Sequence, residues 1–349
     1  MTSRPLSPSD RVLLVRRTSL GDVLMGLPAL VALRRQYPQA YLAWLVEEHL
    51  ADLVRGHECL DEVLTIRRLP ARQPLEWWRE AQAVGRQLRE RRFDVAVDLQ
   101  GRGKSAYMCH LSGAPRRVGF ADEFLGLPGW RWINETVRIS PDTHAVPRSL
   151  LMAEYLGAAP APAEFRYPVL PEARAWAQEF RREHSLTPEQ PLVALVLGAS
   201  TAVKSWPPEH FAELIAALRA AGRQVVLIGG PAEAEREAAV QAALTVPAAS
   251  AVGRTSLTQL AALLGEASVV VAGDTGALHM AVALDRPVVG LFGPTSPRLS
   301  GPWGPQHRVL WDEPTCGPCG RRPTCQDFGC MRKLTPDRVG AAVEEILAN

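Results

Sequence analysis

The chain alternates between short apolar segments and longer amphipathic segments along most of its length. The apolar segments are rich in β-branched residues and are typical of buried strands, whereas the segments between them carry the spacing of helices. Strands that alternate with helices form parallel sheets through right-handed crossovers. The alternation therefore predicts an α/β fold made of doubly wound parallel sheets.

The predicted elements fall into two series. In the first series the strands lie at 12–17, 40–46, 62–66 and 93–99, and the helices at 20–37, 49–56 and 76–92. In the second series the strands lie at 191–198, 223–230, 267–274 and 286–293, and the helices at 209–221, 232–244, 257–266 and 276–284. Two series of this kind predict two domains, each with its own sheet.

A stretch rich in Pro and Ala at 156–175 separates the two series and is interpreted as a linker. With 349 residues the chain is also too long for one ordinary core. We expect domains at 1–165 and 175–335, and a C-terminal helix within 336–349. Ligands of doubly wound folds bind at the carboxyl ends of strands, so we expect a cleft where these ends of the two sheets face each other.

Composition narrows the class of protein. The net charge of +2 is too small to indicate a nucleic-acid partner, and no window approaches the apolar length of a membrane span. The N-terminal residues lack the apolar core of a signal peptide, so the expected compartment is the cytoplasm.

The stretch AGDTGALHMAVALDRPVVGLFGPTSP (272–297) predicts an anion site. Its strand ends at Gly273, and Asp274 and Thr275 precede a helix whose first turn is left open by Gly276. Backbone N–H groups at such a helix start bind phosphate. His279 lies one turn after Thr275 on the same face. An ordinary helix cap with a core histidine explains these residues equally well.

Two further strand ends carry candidate ligands for a nucleotide. In LGASTAVKSWPPEHF (197–211), small and hydroxyl residues precede Lys204, which could neutralise a diphosphate. Only three of the 39 basic residues are lysine, which favours a function for Lys204 over a solvated surface position. In LIGGPAEAERE (227–237), Glu233 could accept from ribose hydroxyls, although a glutamate favoured by the helix dipole explains it better in isolation.

The stretch VDLQGRGKSA (97–106) resembles a P-loop but fails the motif, because Asp98 stands where the first glycine is required. It remains a candidate cationic loop. No G-x-G-x-x-G follows a predicted strand, which argues against a dinucleotide oxidoreductase. No D-x-D lies in a suitable loop, so a metal-bridged diphosphate is not indicated.

Four of the six cysteines are clustered in TCGPCGRRPTCQDFGCMRKL (315–334). Structural Zn²⁺ on Cys316, Cys319, Cys325 and Cys330, a disulfide pair, and free thiols are all compatible with the spacing. Cys59 and Cys109 are isolated and are expected to be buried.

The stretch RRTSLGDVLMGLPALVALRRQYP (16–38) poses a different question. Gly21 lies at a strand-to-helix turn, where phosphate is the usual ligand, yet the next residue is the carboxylate of Asp22. Taken alone, Asp22 is best explained as a cap of the following helix.

An ordered set of motifs carries a family resemblance. The motifs are TSLGDVLMGLPAL, VEE (46–48), DLQGRGKSA, THAVPR (143–148), KSWPPEH and GDTGALHMAVALDRPVVGLFGPTSP. Together they resemble the glycosyltransferase family 9 heptosyltransferases, which build the inner core of lipopolysaccharide. The cysteine-rich segment before LTPDRV also looks like a feature of some members.

The resemblance implies a GT-B fold, with two Rossmann-like domains facing a central cleft and a last helix, 336–347, that crosses back onto the first domain. It implies an inverting, metal-independent transfer of heptose from ADP-heptose to the Kdo/heptose inner core of lipopolysaccharide. No cofactor would be required, and the protein would associate peripherally with the inner face of the inner membrane. The open alternatives are another nucleotide sugar and a non-catalytic nucleotide- or sugar-binding α/β protein.

The resemblance also implies roles for individual residues. Asp22 is the expected general base, with Gly21 leaving room for the acceptor, and Lys204 is expected on the leaving diphosphate. Donor-binding residues are expected at Ser200, Thr201, Glu233, Asp274, Thr275, Gly276 and His279. Cationic candidates for acceptor carboxylates or phosphates are Arg102, Lys104, Arg116 and Arg117.

Overall fold

The computed structural model describes residues 4–70, 72–121, 131–198, 201–314, 316, 319 and 329–348. Contacts between Cα atoms divide the chain into two compact units, Met1–Pro168 and Val169–Asn349. Within the described residues, no helix has both the length and the apolar character of a membrane span.

The first unit is a six-stranded parallel sheet with helices between the strands. Its strands are β1 (Arg11–Val15), β2 (Tyr41–Glu47), β3 (Glu62–Ile66), β4 (Val95–Asp98), β5 (Arg116–Phe120) and β6 (Glu135–Val137). Its helices are α1 (Leu20–Gln36), α2 (Pro74–Glu90), α3 (Gly103–Leu111) and α4 (Ala145–Tyr155), with a 3-10 helix at Glu48–Leu53. The strand order is β3-β2-β1-β4-β5-β6.

The second unit repeats this architecture. Its strands are β7 (Leu192–Val196), β8 (Gln224–Ile228), β9 (Ala249–Ser250), β10 (Val269–Gly273), β11 (Val288–Phe292) and β12 (Arg308–Trp311). Its helices are α5 (Pro171–Glu183), α6 (Pro208–Ala220), α7 (Ala234–Ala242), α8 (Leu257–Gly265), α9 (Gly276–Ala283), α10 (Pro297–Ser300), α11 (Gly329–Arg332) and α12 (Pro336–Leu347). The strand order is β12-β11-β10-β7-β8-β9.

Both sheets have the same doubly wound order, in which the first strand of the unit pairs with its second and its fourth strands. The direction of winding therefore reverses between β1 and β4, and again between β7 and β10. Doubly wound sheets bind ligands at the carboxyl ends of the two strands that flank this switch point. The predicted pair of Rossmann-like parallel sheets is confirmed.

The central strands form the core of each unit. All five residues of β7, β10 and β11 are buried, because helices cover both faces of the sheet. Helix α12 packs into the core of the second unit through Val339 and Val343, close to Leu214 of α6. Its expected return to the first domain stays a prediction.

Several elements differ from the sequence-based expectation. The predicted helix at 49–56 is the 3-10 helix Glu48–Leu53, and α5 begins at Pro171, inside the stretch interpreted as a linker. Proline is compatible with that position because a first-turn N–H has no partner within the helix. The remaining unpredicted elements are the helices α3, α4, α10 and α11 and the strands β5, β6, β9 and β12. The four strands lie towards the outside of a sheet.

Candidate functional site

At the switch point of the second unit, a lysine and an aspartate form a buried ion pair. Lys204 Nζ lies 2.6 Å from Asp274 Oδ2, and the two side chains are 7% and 14% exposed. His279 Nε2 lies 3.9 Å from the other carboxylate oxygen of Asp274. Gly273 lets the Lys204 loop approach the end of β10, because a Cβ there would lie 3.2 Å from the Lys204 carbonyl oxygen. Three predicted donor-site residues thus lie together.

Helix α9 begins beside this ion pair. Thr275 is its N-cap, and its hydroxyl oxygen accepts from the backbone N–H of Leu278 at 3.4 Å. Gly276 is the first helical residue, so the start of the helix presents backbone N–H groups without bulk. Such a helix start attracts anions. The capping function of Thr275 and a phosphate-binding function are therefore compatible.

A solvent-open cavity of about 330 Å³ lies at the carboxyl ends of β7 and β8 and the start of α9. It brings together Glu233, Thr275 and Gly276, three of the residues predicted to bind the donor. The rest of its lining is Val196, Gly198, Ile228, Gly229, Gly230, Thr255, Ser256, Leu257, Leu260 and Ala277. The cavity thus has an apolar wall and a polar edge, as nucleotide sites do.

Glu233 lies against glycines from two neighbouring strand ends. Its Oε2 accepts from the backbone N–H of Gly230 at 2.8 Å. A Cβ at Gly198 or Gly229 would lie 3.2 Å or 3.0 Å from the Glu233 side chain. These glycines therefore make room for the carboxylate, whose other oxygen is not engaged by that hydrogen bond.

Two hydroxyl residues that precede Lys204, Ser200 and Thr201, are predicted to bind the donor. Ser200 lies outside the described residues. Thr201 Oγ1 is buried and has no hydrogen-bond partner among the described residues, while the Thr201 carbonyl oxygen accepts from the Lys204 N–H at 3.1 Å. Thr201 therefore keeps a polar group that a ligand could use.

In the first unit, Asp22 lies in the first turn of α1, after the end of β1. Its Oδ2 accepts from the backbone N–H of Ser19 at 3.0 Å and from the Ser19 hydroxyl at 2.7 Å. Its Oδ1 lies 3.4 Å from Arg16 Nη2, and the side chain is 40% exposed. Asp22 thus caps the helix and at the same time presents a carboxylate to solvent.

Arg16 is the buried side chain that contacts the Asp22 carboxylate. Its side chain is 8% exposed and donates to the Leu99 carbonyl oxygen at 3.0 Å. Burial lowers the pKa of Arg16, and the nearby carboxylates of Asp22 and Asp98 oppose that shift. A Cβ at Gly26 would lie 3.1 Å from the Arg16 side chain, so this glycine permits the packing.

Asp98 ends β4 and is fully buried. Its Oδ1 accepts from the backbone N–H groups of Gln100 and Gly101, each at 2.9 Å. Burial outweighs these hydrogen bonds and raises the pKa of Asp98 to about 6. The residue that breaks the P-loop motif therefore organises the turn into α3.

The acceptor-site candidates separate into two groups. Arg102 is the exposed N-cap residue of α3, and Lys104 lies in its first turn with Nζ 4.7 Å from the centre of the Trp77 ring. Burial and the neighbouring Arg17 lower the pKa of Lys104. Both residues lie at the carboxyl edge of the sheet, as does Gly21, which is buried in α1.

Arg116 and Arg117 do not belong to that group, because they begin β5 and thus lie at the opposite, amino edge of the sheet. Arg116 pairs with Glu135 at 2.8 Å, and Arg117 donates to the Trp132 carbonyl oxygen at 2.7 Å. These are structural contacts, and we do not carry the two arginines into the proposed acceptor site.

Sequence reasoning missed residues in both units. Arg148 lies on α4, and burial, with Arg16 and Arg102 nearby, lowers its pKa to about 10. It ends the motif THAVPR, which could have identified it. Thr255, Ser256, Leu257 and Leu260 line the cavity of the second unit, but they follow a strand of only two residues that no pattern indicates.

The cysteine cluster is only partly described. Cys316 is exposed, Cys319 and Cys330 are half-buried, and Cys325 lies outside the described residues. Among the described residues, no group of three or more His, Cys, Asp or Glu side chains could hold a metal ion. The structural Zn²⁺ therefore stays a prediction. Cys59 and Cys109 are buried, as predicted.

Comparison with known proteins covers nearly the whole chain. Lipopolysaccharide heptosyltransferase 1 of Pseudomonas aeruginosa is 30% identical, over 97% of this chain and 98% of that protein. The structure of Escherichia coli ADP-heptose lps heptosyltransferase II has a TM-score of 0.79 at 25% identity and covers 97% of this chain and 98% of that one.

A second solved relative is E. coli heptosyltransferase WaaC. Its structure with ADP has a TM-score of 0.71 at 28% identity, over 97% of this chain and 98% of that one. A further structure of it contains ADP-2-deoxy-2-fluoro heptose, with a TM-score of 0.72 over 96% of this chain and 99% of that one. This likeness confirms the predicted GT-B fold.

The family model described as glycosyltransferase family 9 (heptosyltransferase) matches residues 81–327, which is more than half of the chain. The matched region includes the Lys204–Asp274 ion pair and the whole lining of the cavity in the second unit. The chain therefore belongs to glycosyltransferase family 9, the heptosyltransferases.

Proposed function

We propose that this glycosyltransferase transfers heptose from ADP-heptose to the Kdo/heptose inner core of lipopolysaccharide, with inversion at the anomeric carbon and without a catalytic metal ion. The observation that carries the proposal is the cavity of the second unit, where Glu233, Thr275 and Gly276 meet beside the Lys204–Asp274 ion pair. The names of the relatives, which include a protein solved with ADP-2-deoxy-2-fluoro heptose, support the choice of donor.

In the proposed donor complex, the adenosine occupies the cavity and Glu233 accepts from the ribose hydroxyls. The apolar wall formed by Ile228, Leu257 and Leu260 suits an adenine ring. The diphosphate lies at the start of α9, where Thr275 and Gly276 present N–H groups. Ser200 and Thr201 contribute hydroxyls, and Asp274 and His279 hold the donor sugar.

Lys204 stabilises the leaving group. Its ammonium group has three N–H donors, of which Asp274 takes one. No other described residue accepts from this ammonium group, so the remaining donors can bind the diphosphate oxygens as the bond between the anomeric carbon and oxygen breaks. A charge held in place before the reaction stabilises the transition state without further reorganisation. Lysine and helix N–H groups thereby replace a bridging metal ion.

Asp22 is the general base in this proposal. An acceptor hydroxyl gives its proton to the carboxylate while the hydroxyl oxygen bonds to the anomeric carbon from the face opposite ADP. Ser19 and Arg16 hold the carboxylate in position, where it can accept a proton from the acceptor. Gly21 contributes no side chain, so the acceptor can approach closely.

The acceptor is anionic, and the first unit offers cations at the same edge as Asp22. Arg102 and Lys104 are the proposed ligands of acceptor carboxylates or phosphates, joined by the half-buried Arg148. An acceptor of this kind is anchored in lipid, so we propose a cytoplasmic protein in peripheral contact with the inner face of the inner membrane.

The proposal is tested by measuring ADP release from ADP-heptose and deacylated Kdo–lipid A in the presence of EDTA. We expect turnover that depends on the acceptor, and formation of the α-linked product if the donor is the β-anomer. Turnover that EDTA abolishes would refute metal independence. ADP binding without turnover would favour another acceptor or a non-catalytic binding protein. Turnover with another nucleotide sugar only would favour a related glycosyltransferase with a different donor.

A further inference from the structure

The outward face of α2, in the first unit, combines exposed apolar side chains with arginines. Leu75 is 58% exposed and Trp78 is 50% exposed, and the two residues are neighbours on the first turn of the helix. Exposed tryptophan and leucine side chains forgo the favourable free energy that burial of their apolar surface would contribute. A contact surface is the usual reason for such an arrangement.

Three exposed arginines accompany this apolar pair. Arg79 and Arg86 are seven residues apart, so they lie two turns apart on one line along the helix, and Arg72 lies just before its first residue. None of the three forms an ion pair with another described residue. Arg67, by contrast, pairs with Glu80 at 2.7 Å. The face therefore carries unneutralised positive charge around its apolar centre, with Glu76 as the carboxylate of the first turn.

The inward side of the same turn leads to the candidate acceptor site. The half-buried Trp77 packs on Tyr107, with ring centres 6.0 Å apart, and Lys104 Nζ lies 4.7 Å from the Trp77 ring. The exposed face and Lys104 therefore lie on opposite sides of α2, with Trp77 on the side of Lys104. A lipid surface bound at the exposed face would lie about one helix diameter, ~10 Å, from the side of α2 that Lys104 contacts.

We propose that Arg72, Leu75, Trp78, Arg79 and Arg86, the α2 docking face, bind the surface of an anionic lipid bilayer. Tryptophan prefers the headgroup region, leucine enters the acyl boundary, and arginine binds anionic headgroups. Two apolar side chains are too few for a stable protein interface, whereas they suffice for a weak interfacial anchor assisted by charge. The inference rests on the proposed function, because docking to a bilayer brings the enzyme to its acceptor only if that acceptor is anchored in lipid.

The test is sedimentation of the full chain with phosphatidylcholine vesicles, with and without phosphatidylglycerol. We expect binding only when phosphatidylglycerol is present. Replacing the arginines together (Arg72→Gln, Arg79→Gln, Arg86→Gln) should weaken binding on the order of 100-fold, at about fivefold for each charge. The pair Leu75→Ser and Trp78→Ser should weaken it on the order of tenfold. Val246→Ser, at an equally exposed apolar position of the second unit, is the control.

Enzyme activity separates docking from catalysis. The variants should release ADP at the native rate with a deacylated, water-soluble acceptor and more slowly with the acceptor embedded in vesicles. Native-like vesicle binding by both variants, or no binding by the native chain, would overturn the docking proposal. Vesicle binding through this face by a chain that never transfers heptose would support docking and refute the proposed function.

Discussion

At the scale of single residues, the burial of the Lys204–Asp274 ion pair requires an explanation. Removing two charges from water costs several kcal/mol, which their attraction repays only in part. The pair lies at the switch point, next to the N-terminus of α9. We interpret the Lys204 ammonium group as a cation that is desolvated and held in position before the reaction, where it stabilises an anionic leaving group.

Replacing Lys204 with methionine should raise the Kd for ADP about 10- to 100-fold, since a hydrogen bond to a charged group contributes about 1.5–3 kcal/mol. Binding of AMP, which lacks the second phosphate, should weaken less. Lys333→Met, at an exposed lysine of the same unit, is the matched control and should leave both constants unchanged. Calorimetric titration measures them, and equal losses for ADP and AMP would argue against contact with the diphosphate.

Asp98 gives the first unit a specific pH dependence. Its pKa is raised from 3.8 to about 6 by burial. Between these values the folded carboxyl holds a proton that the unfolded one has released, so the free energy of unfolding falls as pH rises. Asp98→Asn removes this titration, so the free energy of unfolding of the variant, relative to that of the native chain, should rise by about 2 kcal/mol from pH 4 to pH 7. A difference that stays flat in urea unfolding would contradict the assignment.

At the scale of elements, the glycines at strand ends keep the proposed donor cavity open. Alanine at Gly229 would place a Cβ 3.0 Å from Glu233, whereas alanine at Gly265, the last residue of α8, would meet nothing within 4 Å. We expect Gly229→Ala to weaken ADP binding about tenfold and Gly265→Ala to leave it unchanged, with stability equal or higher by up to ~1 kcal/mol. Equal ADP affinity in both variants would mean that Glu233 does not contact the nucleotide.

The same scale explains what could be predicted from sequence. Strands such as β7 and β10 are buried on both faces, so their composition alone identifies them. Strand β5 begins with two arginines and β9 has two residues, so neither carries a pattern. Because β9 was not predictable, neither was the cavity wall at Thr255 and Ser256 that follows it.

The candidate site was predictable to the extent that its residues follow recognisable strands. Asp22, Lys204, Glu233 and Asp274 all come shortly after a buried strand, and parallel strands place such residues at one edge. Arg116 and Arg117 begin β5, a strand that the sequence did not predict, so their position at the amino edge of the sheet could not be predicted either. The support that Arg16 gives to Asp22 arises from packing, which no local pattern reports.

At the scale of the whole molecule, the chain has two compact units with separate cores. We expect two thermal transitions in calorimetry, since each core can unfold as a unit. A ligand that binds one folded unit stabilises it by about 2.7 kcal/mol at 100 times its Kd, which raises its Tm by about 5–10 °C. ADP should therefore shift one transition, that of the second unit. An equal shift of both transitions would contradict donor binding by the second unit alone.

The central claim joins a base in the first unit to a nucleotide site in the second, and Asp22→Asn tests it most directly. Asparagine still accepts from the Ser19 N–H but takes up no proton, so kcat should fall about 10²- to 10⁴-fold while the Kd for ADP is kept. Asp337→Asn, at an exposed carboxylate in the first turn of α12, is the control and should retain full activity. Full activity in Asp22→Asn would contradict the account and leave Asp22 as a helix cap.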